Sequence, residues 1–168
     1  EINASAVLGG SSQGMIRFRW EEYSHYYWVI DDVRIVLQPE HDVRIERTFI
    51  SHNDSDIEYG IVPSNQTGQT MEIGAVIYNL GYADQTNLSL TADFDSGLFT
   101  ATDSHALLQG DSTHYMEGPV SPVLVPGNYF GEFELISDDD NLISINYWNN
   151  LANRSMKISC ETCWDGLY

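Results

Sequence analysis

Two adjacent carboxylates, Asp31 and Asp32, lie inside one of the most apolar stretches of the chain, HYYWVIDDVRIVL. This stretch, residues 25–37, also holds three aromatic and six aliphatic side chains. Carboxylates are rarely buried alone, so this pair needs a bound cation, hydrogen-bond donors or a position at the rim of a sheet. Their hard oxygen atoms suit Ca²⁺. Strand alternation would place the two carboxylates on opposite faces, so that one of them meets solvent or Arg34.

Aromatic side chains precede the carboxylates. Tyr26 and Trp28, with Tyr23 and Tyr27 beside them, are close enough in sequence to form a platform on which a sugar ring stacks. The alternative is a place in the core, because strand alternation buries about half of such residues and β-sheets are rich in them. The pattern leaves both interpretations open, ligand binding at Tyr26 and Trp28 or packing.

Three other groups of reactive side chains give weaker signals. The acidic loop SDDDN, residues 137–141, lacks the alternating ligands, glycine and distal glutamate of an EF-hand, which favours a solvated turn. Cys160 and Cys163 have the spacing of half a zinc site, a redox pair or a local disulfide. No nucleophile motif, P-loop or HExxH spacing occurs, so we expect no catalytic residues. Histidines are scattered at positions 25, 41, 52, 105 and 114.

The distribution of charge limits the partners of this protein. The formal net charge is −18, and between Thr48 and Asn153 there are 15 Asp and Glu but no Lys or Arg. Such a surface repels nucleic-acid phosphates and anionic lipid headgroups, and no apolar run approaches the roughly 20 residues of a membrane span. We therefore expect neither nucleic-acid binding nor membrane insertion. The charge indicates either a saline or calcium-containing environment or a need for solubility.

Apolar and polar residues alternate wherever a pattern can be read. Ile16, Phe18 and Trp20 alternate with Arg17 and Arg19, which predicts a half-buried strand. Turn residues separate this strand from the others at short intervals, as in an all-β, immunoglobulin-like sandwich. Further strands are predicted at residues 27–37, 72–79, 87–94, 129–136 and 142–148.

A domain boundary is predicted at QPEHD, where a proline and charges separate two apolar strands. Residues 1–38 would form a two-stranded hairpin, which is marginally stable alone. Residues 39–158 approach the size of an immunoglobulin-like sandwich, and residues 159–168 form a linker or the start of a further segment. The hairpin ends a preceding domain, joins the sandwich or completes the sheet of another chain by strand addition. We expect the chain to be a piece of a longer polypeptide.

Particular segments resemble known families. GMIRFRW and YYWVIDDVRIV resemble the closing strands of the MAM-like jelly roll known as the cleaved-adhesin or choice-of-anchor J domain. HDVRIE, YGIVPSNQ, AVIYNLGYADQTNLSLTADF and VPGNYFGEFELISDDDN are similar to the CARDB-like immunoglobulin modules that follow such jelly rolls in type IX secretion substrates of Bacteroidetes. The resemblance implies an extracellular or cell-surface location. It also implies a structural Ca²⁺ held in part by Asp31 or Asp32, the other ligands preceding residue 1.

These observations together predict a non-catalytic, all-β spacer or adhesion module of a secreted or cell-surface protein. Its partners would be the neighbouring domains of the same polypeptide and an extracellular glycan or protein. Ca²⁺ is the one cofactor that the residues suggest. The alternatives are a module that binds carbohydrate or calcium directly and an accessory domain of a secreted peptidase or glycosidase.

Overall fold

The computed structural model describes residues 4–19, 30, 31, 33, 35, 37–52, 60–139 and 147–160. The chain divides into two compact units, Glu1–Gln38 and Pro39–Tyr168. The described residues of the first unit include one short helix, α1 (Ser5–Leu8), and no strand. The described residues of the second unit form two packed β-sheets.

The hairpin predicted near the start is not found in the residues that the structure describes. Residues 15–19, and residues 30, 31, 33, 35 and 37, belong to no strand. Ile16 and Phe18, the side chains expected to face a core, are 47% and 51% exposed. Alternation marks side chains that suit a sheet, but a strand forms only where a neighbouring strand takes up its backbone hydrogen bonds. The remaining residues of the predicted hairpin, including Trp20, lie outside the described residues.

The second unit is an all-β sandwich with an immunoglobulin-like arrangement of two sheets. One sheet has the strand order β1-β3-β6 and the other the order β2-β8-β7-β4-β5. All neighbours in these sheets are antiparallel except β2 and β8, which are parallel. The strands are β1 (Val43–His52), β2 (Ile61–Pro63), β3 (Met71–Asn79), β4 (Gln85–Phe94), β5 (Phe99–Leu108), β6 (Thr113–Val120), β7 (Gly127–Ile136) and β8 (Leu151–Ser159). Two 3-10 helices lie at Ser64–Gln66 and Tyr147–Asn150.

The strands predicted at 72–79, 87–94 and 129–136 are confirmed as β3, β4 and β7. The prediction at 142–148 is wrong for residues 147 and 148, which lie in a 3-10 helix, and its other residues are outside the described part. The strand in this region is β8 instead. Its sequence, LANRSMKIS, has polar residues at most positions, so alternation alone gave no clear signal.

The core lies between the two sheets, and Phe94 at the end of β4 is one of its central side chains. Phe94 is fully buried. Its ring stacks on Phe99 with centroids 4.7 Å apart and meets Phe133 edge-on at 6.2 Å. These are favourable aromatic geometries, and the three residues come from three adjacent strands of the five-stranded sheet. The aromatic cluster therefore ties this sheet together at one end.

β1 and β8 run in the same direction, one in each sheet. Just before the two strands begin, Nδ2 of Asn149 donates a hydrogen bond to Oδ1 of Asp42, at 3.1 Å. Further along both strands, Arg154 donates to the carbonyl oxygen of Thr48, at 2.7 Å. We call the end where both strands begin, marked by Asp42 and Asn149, the proximal pole. The end where β8 finishes, at Ser159, is the distal pole, about 30 Å away for nine residues at about 3.3 Å each.

The segment that leads into β1 is attached to the turn between β3 and β4. The amides of residues 80–83 donate four backbone hydrogen bonds, of 2.8–3.2 Å, to the carbonyl groups of residues 39, 40 and 42. The turn itself is organised by the fully buried side chain of Asn79. Its Nδ2 donates to the carbonyl groups of Ala83 and Leu108, and its Oδ1 accepts from the amide of Gly81. The chain is thus held firmly at the proximal pole.

Candidate functional site

The structure describes only one of the four residues proposed as ligands from the sequence. Asp31 is exposed and lies in no strand. Asp32, Tyr26 and Trp28 lie outside the described residues. The structure therefore leaves the calcium site at Asp31 and Asp32, and the aromatic platform at Tyr26 and Trp28, as predictions. Within the described residues, no group of three or more His, Cys, Asp or Glu side chains is placed to hold a metal ion.

The acidic loop after β7 serves as a hydrogen-bond anchor for β4. Oδ2 of Asp139 accepts from both the amide and the hydroxyl of Thr86, at 2.5 and 2.6 Å. Oδ2 of Asp138 accepts from Nδ2 of Asn87, at 2.6 Å. Asn87 has a left-handed backbone with φ 50°, a conformation that asparagine tolerates better than most residues. At least two carboxylates of the SDDDN loop are therefore engaged with the neighbouring strand.

A chain of buried polar side chains continues from this loop toward β1. The hydroxyl of Ser137 donates to Oε1 of Gln85 at 2.9 Å, and Nε2 of Gln85 lies 3.1 Å from Nδ1 of His41. Gln85 and Ser137 are almost completely buried. Because Gln85 lies between the hydroxyl and the imidazole, Ser137 donates to an amide and not to a base that could activate it. This network is suited to holding the proximal pole together rather than to nucleophilic chemistry.

The bonds from Thr86 should make stability depend on the ionisation of Asp139. The side-chain and then the backbone hydrogen bond of Thr86 lower the pKa of Asp139 below its usual value. A carboxylate whose pKa is depressed in the folded state stabilises that state above its unfolded pKa of about 3.9. This stabilisation is lost as the pH falls through the lower folded pKa. We expect Asp139→Asn to reduce the midpoint of thermal unfolding at pH 7, and the difference from wild type to shrink below about pH 4.

Glu132→Gln is the matched control for this pH experiment, because Glu132 is exposed on β7. It should leave the midpoint at pH 7 nearly unchanged. Equal effects of the two substitutions, or a difference for Asp139→Asn that does not shrink at all as the pH falls below about 4, would contradict the role given to the Thr86 bonds.

The second polar cluster lies where β5 and β6, the edge strands of the two sheets, meet. The imidazole rings of His105 and His114 are stacked, with centroids 3.7 Å apart and an angle of 25° between their planes. Both side chains are half-buried, and they occupy the inward-facing register of their strands, in line with Ala101 on β5 and Met116 on β6. Polar side chains therefore replace apolar ones at this edge of the core.

The approach of β5 and β6 is fixed by their backbones. An added Cβ at Gly118 would lie 2.5 Å from the carbonyl oxygen and 2.7 Å from the amide nitrogen of Thr102, so only glycine permits this contact. Oδ2 of Asp103 accepts a hydrogen bond from the amide of Glu117 at 3.0 Å, and its Oδ1 accepts from the amide of Ser104 at 2.7 Å. The side-chain pair is thus supported by a rigid junction of the two sheets.

Electrostatics at this edge favour the neutral form of His114. Burial, followed by the proximity of His105, lowers the pKa of His114, and the negative charge of Asp103 acts in the opposite direction. Two imidazoles in contact resist double protonation because like charges repel. The sequence had shown only scattered histidines. A weak signal was present, since both histidines replace apolar residues in the inward-facing register of two consecutive strands.

The cysteine pair predicted from the sequence is partly described. Cys160, directly after β8 at the distal pole, is disulfide-bonded. Cys163 is the other cysteine of the chain and lies outside the described residues. A disulfide at Cys160 favours the local-disulfide interpretation over a zinc ligand, because a metal-bound cysteine is a free thiolate.

Comparison with known proteins identifies the fold. No family model and no curated protein matches the chain. The crystal structure of a CARDB domain from Pyrococcus furiosus, in complex with di-metal ions, matches with a TM-score of 0.53 at 15% identity. The match covers 76% of this chain and 100% of that domain. The fold is that of a CARDB-like sandwich.

Two further solved structures have lower TM-scores. The solution structure of the same Pyrococcus domain gives 0.49 at 14% identity, with 71% of this chain and 96% of that chain covered. The solution structure of a domain from a Methanosarcina acetivorans protein, described provisionally as a cell surface protein, gives 0.45 at 15% identity, with 66% of this chain and 93% of that chain covered. The fold assignment therefore rests on the crystal structure, and it supports the CARDB-like fold predicted from the sequence. The jelly-roll hairpin and the type IX secretion context stay predictions. No helix in the described residues has the length and hydropathy needed to cross a bilayer.

Proposed function

We propose that the CARDB-like sandwich is a non-catalytic spacer between neighbouring domains of an extracellular protein. The observation that carries this proposal is the parallel course of β1 and β8. Because both strands begin at the proximal pole, the chain enters the sandwich there and leaves β8 at the distal pole. A folded unit with this geometry separates whatever precedes it from whatever follows it by about 30 Å, the length of nine strand residues.

Three properties of the chain support a mechanical role. The four backbone hydrogen bonds of residues 80–83 restrict the leading segment at residues 39–42. The disulfide at Cys160 is typical of proteins in oxidising, extracellular compartments. The net charge of −18 opposes association between copies of the chain. The likeness to a CARDB domain gives the fold from which these properties follow.

Domain replacement in the full polypeptide tests the spacer function. One version replaces residues 39–160 with an unrelated β-sandwich of equal pole-to-pole length. A second replaces them with a Gly/Ser linker of about 30 residues, which has a similar mean span but no fixed one. Single-molecule energy transfer between dyes on the flanking domains should give a narrow distance distribution for the wild type and the unrelated sandwich, and a broad one for the linker.

Binding of the same three proteins to the native cell surface or matrix decides between a spacer and an adhesion module. A spacer predicts that the unrelated sandwich preserves binding. Loss of binding with that sandwich, while the distances between domains stay unchanged, would show that the replaced module itself supplies the binding surface. In that case the adhesion or carbohydrate-binding alternative is correct and the spacer proposal is not.

Calcium binding is the second candidate function, and the feature that favours it is the pair of adjacent carboxylates at Asp31 and Asp32, whose hard oxygen atoms suit Ca²⁺. A ligand that binds only the folded state at a hundred times its Kd adds about 2.7 kcal/mol of stability. If Asp31 and Asp32 hold a structural ion, millimolar Ca²⁺ should raise the thermal midpoint by several degrees relative to EDTA, and Asp31→Ala should abolish the rise. Equal concentrations of Mg²⁺ and the variant Glu132→Ala control for general screening of charge. An equal rise with Mg²⁺ would exclude a specific site.

A further inference from the structure

The stacked pair of His105 and His114 has a geometry that the spacer function does not require. The two rings meet face to face between β5 and β6, with centroids 3.7 Å apart. β5 and β6 are edge strands of different sheets, and no ladder of backbone hydrogen bonds joins them in the described sheets. We call the line along which they meet the β5–β6 seam. Contacts other than a ladder hold this seam closed, and the stacked rings are one of them.

The neighbouring strands present apolar side chains to the pair. On β3, the buried Ile77 lies opposite His114. On β4, the buried Leu88 lies opposite His105. The other titratable residues of β3, β4 and β6, and of the turn that joins β5 to β6, lie in outward-facing or exposed positions: Glu72, Tyr78, Asp93, Tyr115, Glu117 and Asp111.

The contact between the rings tolerates one positive charge better than two. The carboxylate of Asp103 lies in the same inward-facing register as His105, and its negative charge favours protonation of His114. Burial and the proximity of His105 act more strongly in the opposite direction and lower the pKa of His114. The carboxylate of Asp103 also accepts hydrogen bonds from the amides of Ser104 and Glu117. Two protonated imidazoles at this spacing would repel one another, so the closed seam takes up fewer protons than an open one.

We propose that the stacked pair of His105 and His114 is a pH-sensitive switch that keeps the β5–β6 seam closed at neutral pH and loosens it in acid. A histidine whose pKa is lowered in the folded state stabilises that state above its unfolded pKa of about 6.5. This stabilisation is lost as the pH drops below about 6.5 toward the lower folded pKa. The effect of Asp139 lies below about pH 4, so the two effects occupy separate pH ranges.

The pH dependence of stability tests the proposal. The thermal midpoint of the wild-type chain should fall by several degrees between about pH 8 and pH 5.5. His114→Phe keeps an aromatic ring beside His105 that takes up no proton, so its midpoint should fall much less over this range. His52→Asn removes a different histidine and is the matched control, with the same loss as the wild type. No loss for the wild type, an equal loss for His114→Phe, or an equally reduced loss for His52→Asn would overturn the proposal.

Hydrogen exchange in the wild-type chain locates the change and covers the case in which His114→Phe fails to fold. The amide of Glu117 donates to Asp103 across the seam. Its protection factor, which corrects for the intrinsic effect of pH on exchange, should fall severalfold over the same pH range. The amide of Asp95, which donates to the carbonyl group of Phe130 just beyond β4, is the control and should keep its protection factor. Equal losses at the two amides would mean that the whole sandwich responds to acid, and unchanged protection at Glu117 would mean that the seam stays closed. Either result refutes the switch.

Discussion

Replacing Phe94 with alanine should lower the free energy of unfolding by about 3–5 kcal/mol, the range for a fully buried phenylalanine. Phe94 is completely buried and packs against Phe99 and Phe133, with ring centroids at 4.7 and 6.2 Å. Gly131 on the neighbouring β7 also leaves room for this ring, since an added Cβ there would lie 2.5 Å from Cζ of Phe94. The backbone around the ring cannot collapse into the space it leaves. Chemical denaturation monitored by tryptophan fluorescence measures the loss.

Phe130→Ala is the matched control for this prediction. Phe130 lies on β7 but is 48% exposed, so its removal leaves no closed cavity. Its effect should stay within about 0.5 kcal/mol, as is usual for surface positions. Similar losses for Phe94→Ala and Phe130→Ala would show that the described core is not the element that stabilises the sandwich.

Replacing Asn79 with alanine should cost about 3 kcal/mol, because three hydrogen bonds are lost and each is worth roughly 1 kcal/mol. The side chain is fully buried, so the carbonyl groups of Ala83 and Leu108 would lose their bonds to it, and the amide of Gly81 would keep only its bond to the carbonyl group of Asp42. The loss should be visible in denaturation. Hydrogen exchange should also accelerate at residues 80–83, whose amides hold the segment leading into β1.

Asn79→Asp sharpens this test. The carboxylate keeps an acceptor for the amide of Gly81 but turns a second oxygen toward the carbonyl groups of Ala83 and Leu108. We expect it to destabilise at neutral pH at least as strongly as Asn79→Ala, because a buried charge then faces acceptors only. Asn128→Ala, at an exposed position on β7, is the control and should have little effect. A small effect of Asn79→Asp on the free energy of unfolding would contradict the buried hydrogen-bond network described for Asn79.

Phe94→Ala and Asn79→Ala test opposite ends of the sandwich. Phe94 lies at the end of β4 that is remote from the proximal pole, and Asn79 lies beside that pole. If Asn79→Ala accelerates exchange only near residues 80–83 while Phe94→Ala lowers global stability, the leading segment opens as a local unit. A spacer whose leading segment opens locally would lose its fixed direction without unfolding, which links this experiment to the proposed function.

Local patterns in the sequence were sufficient for the fold class. Alternating apolar residues at 72–79, 87–94 and 129–136 mark β3, β4 and β7, because a strand in the middle of a sandwich must bury one face. The same reasoning failed at residues 15–19, which alternate but belong to no strand, and at β8, which is a strand with weak alternation. Alternation reports which side chains suit a sheet, and it does not report which strands find neighbours.

Composition and local pattern thus determine an acidic, all-β chain without a recognisable catalytic motif. Tertiary structure alone decides that His105 and His114 stack, that Asp139 ties the loop after β7 to Thr86, and that β1 and β8 begin at the same pole. Each of these contacts joins residues from different elements of the fold, and two of them link one sheet to the other. The register and packing of the two sheets set such distances, and no local spacing in the sequence encodes them.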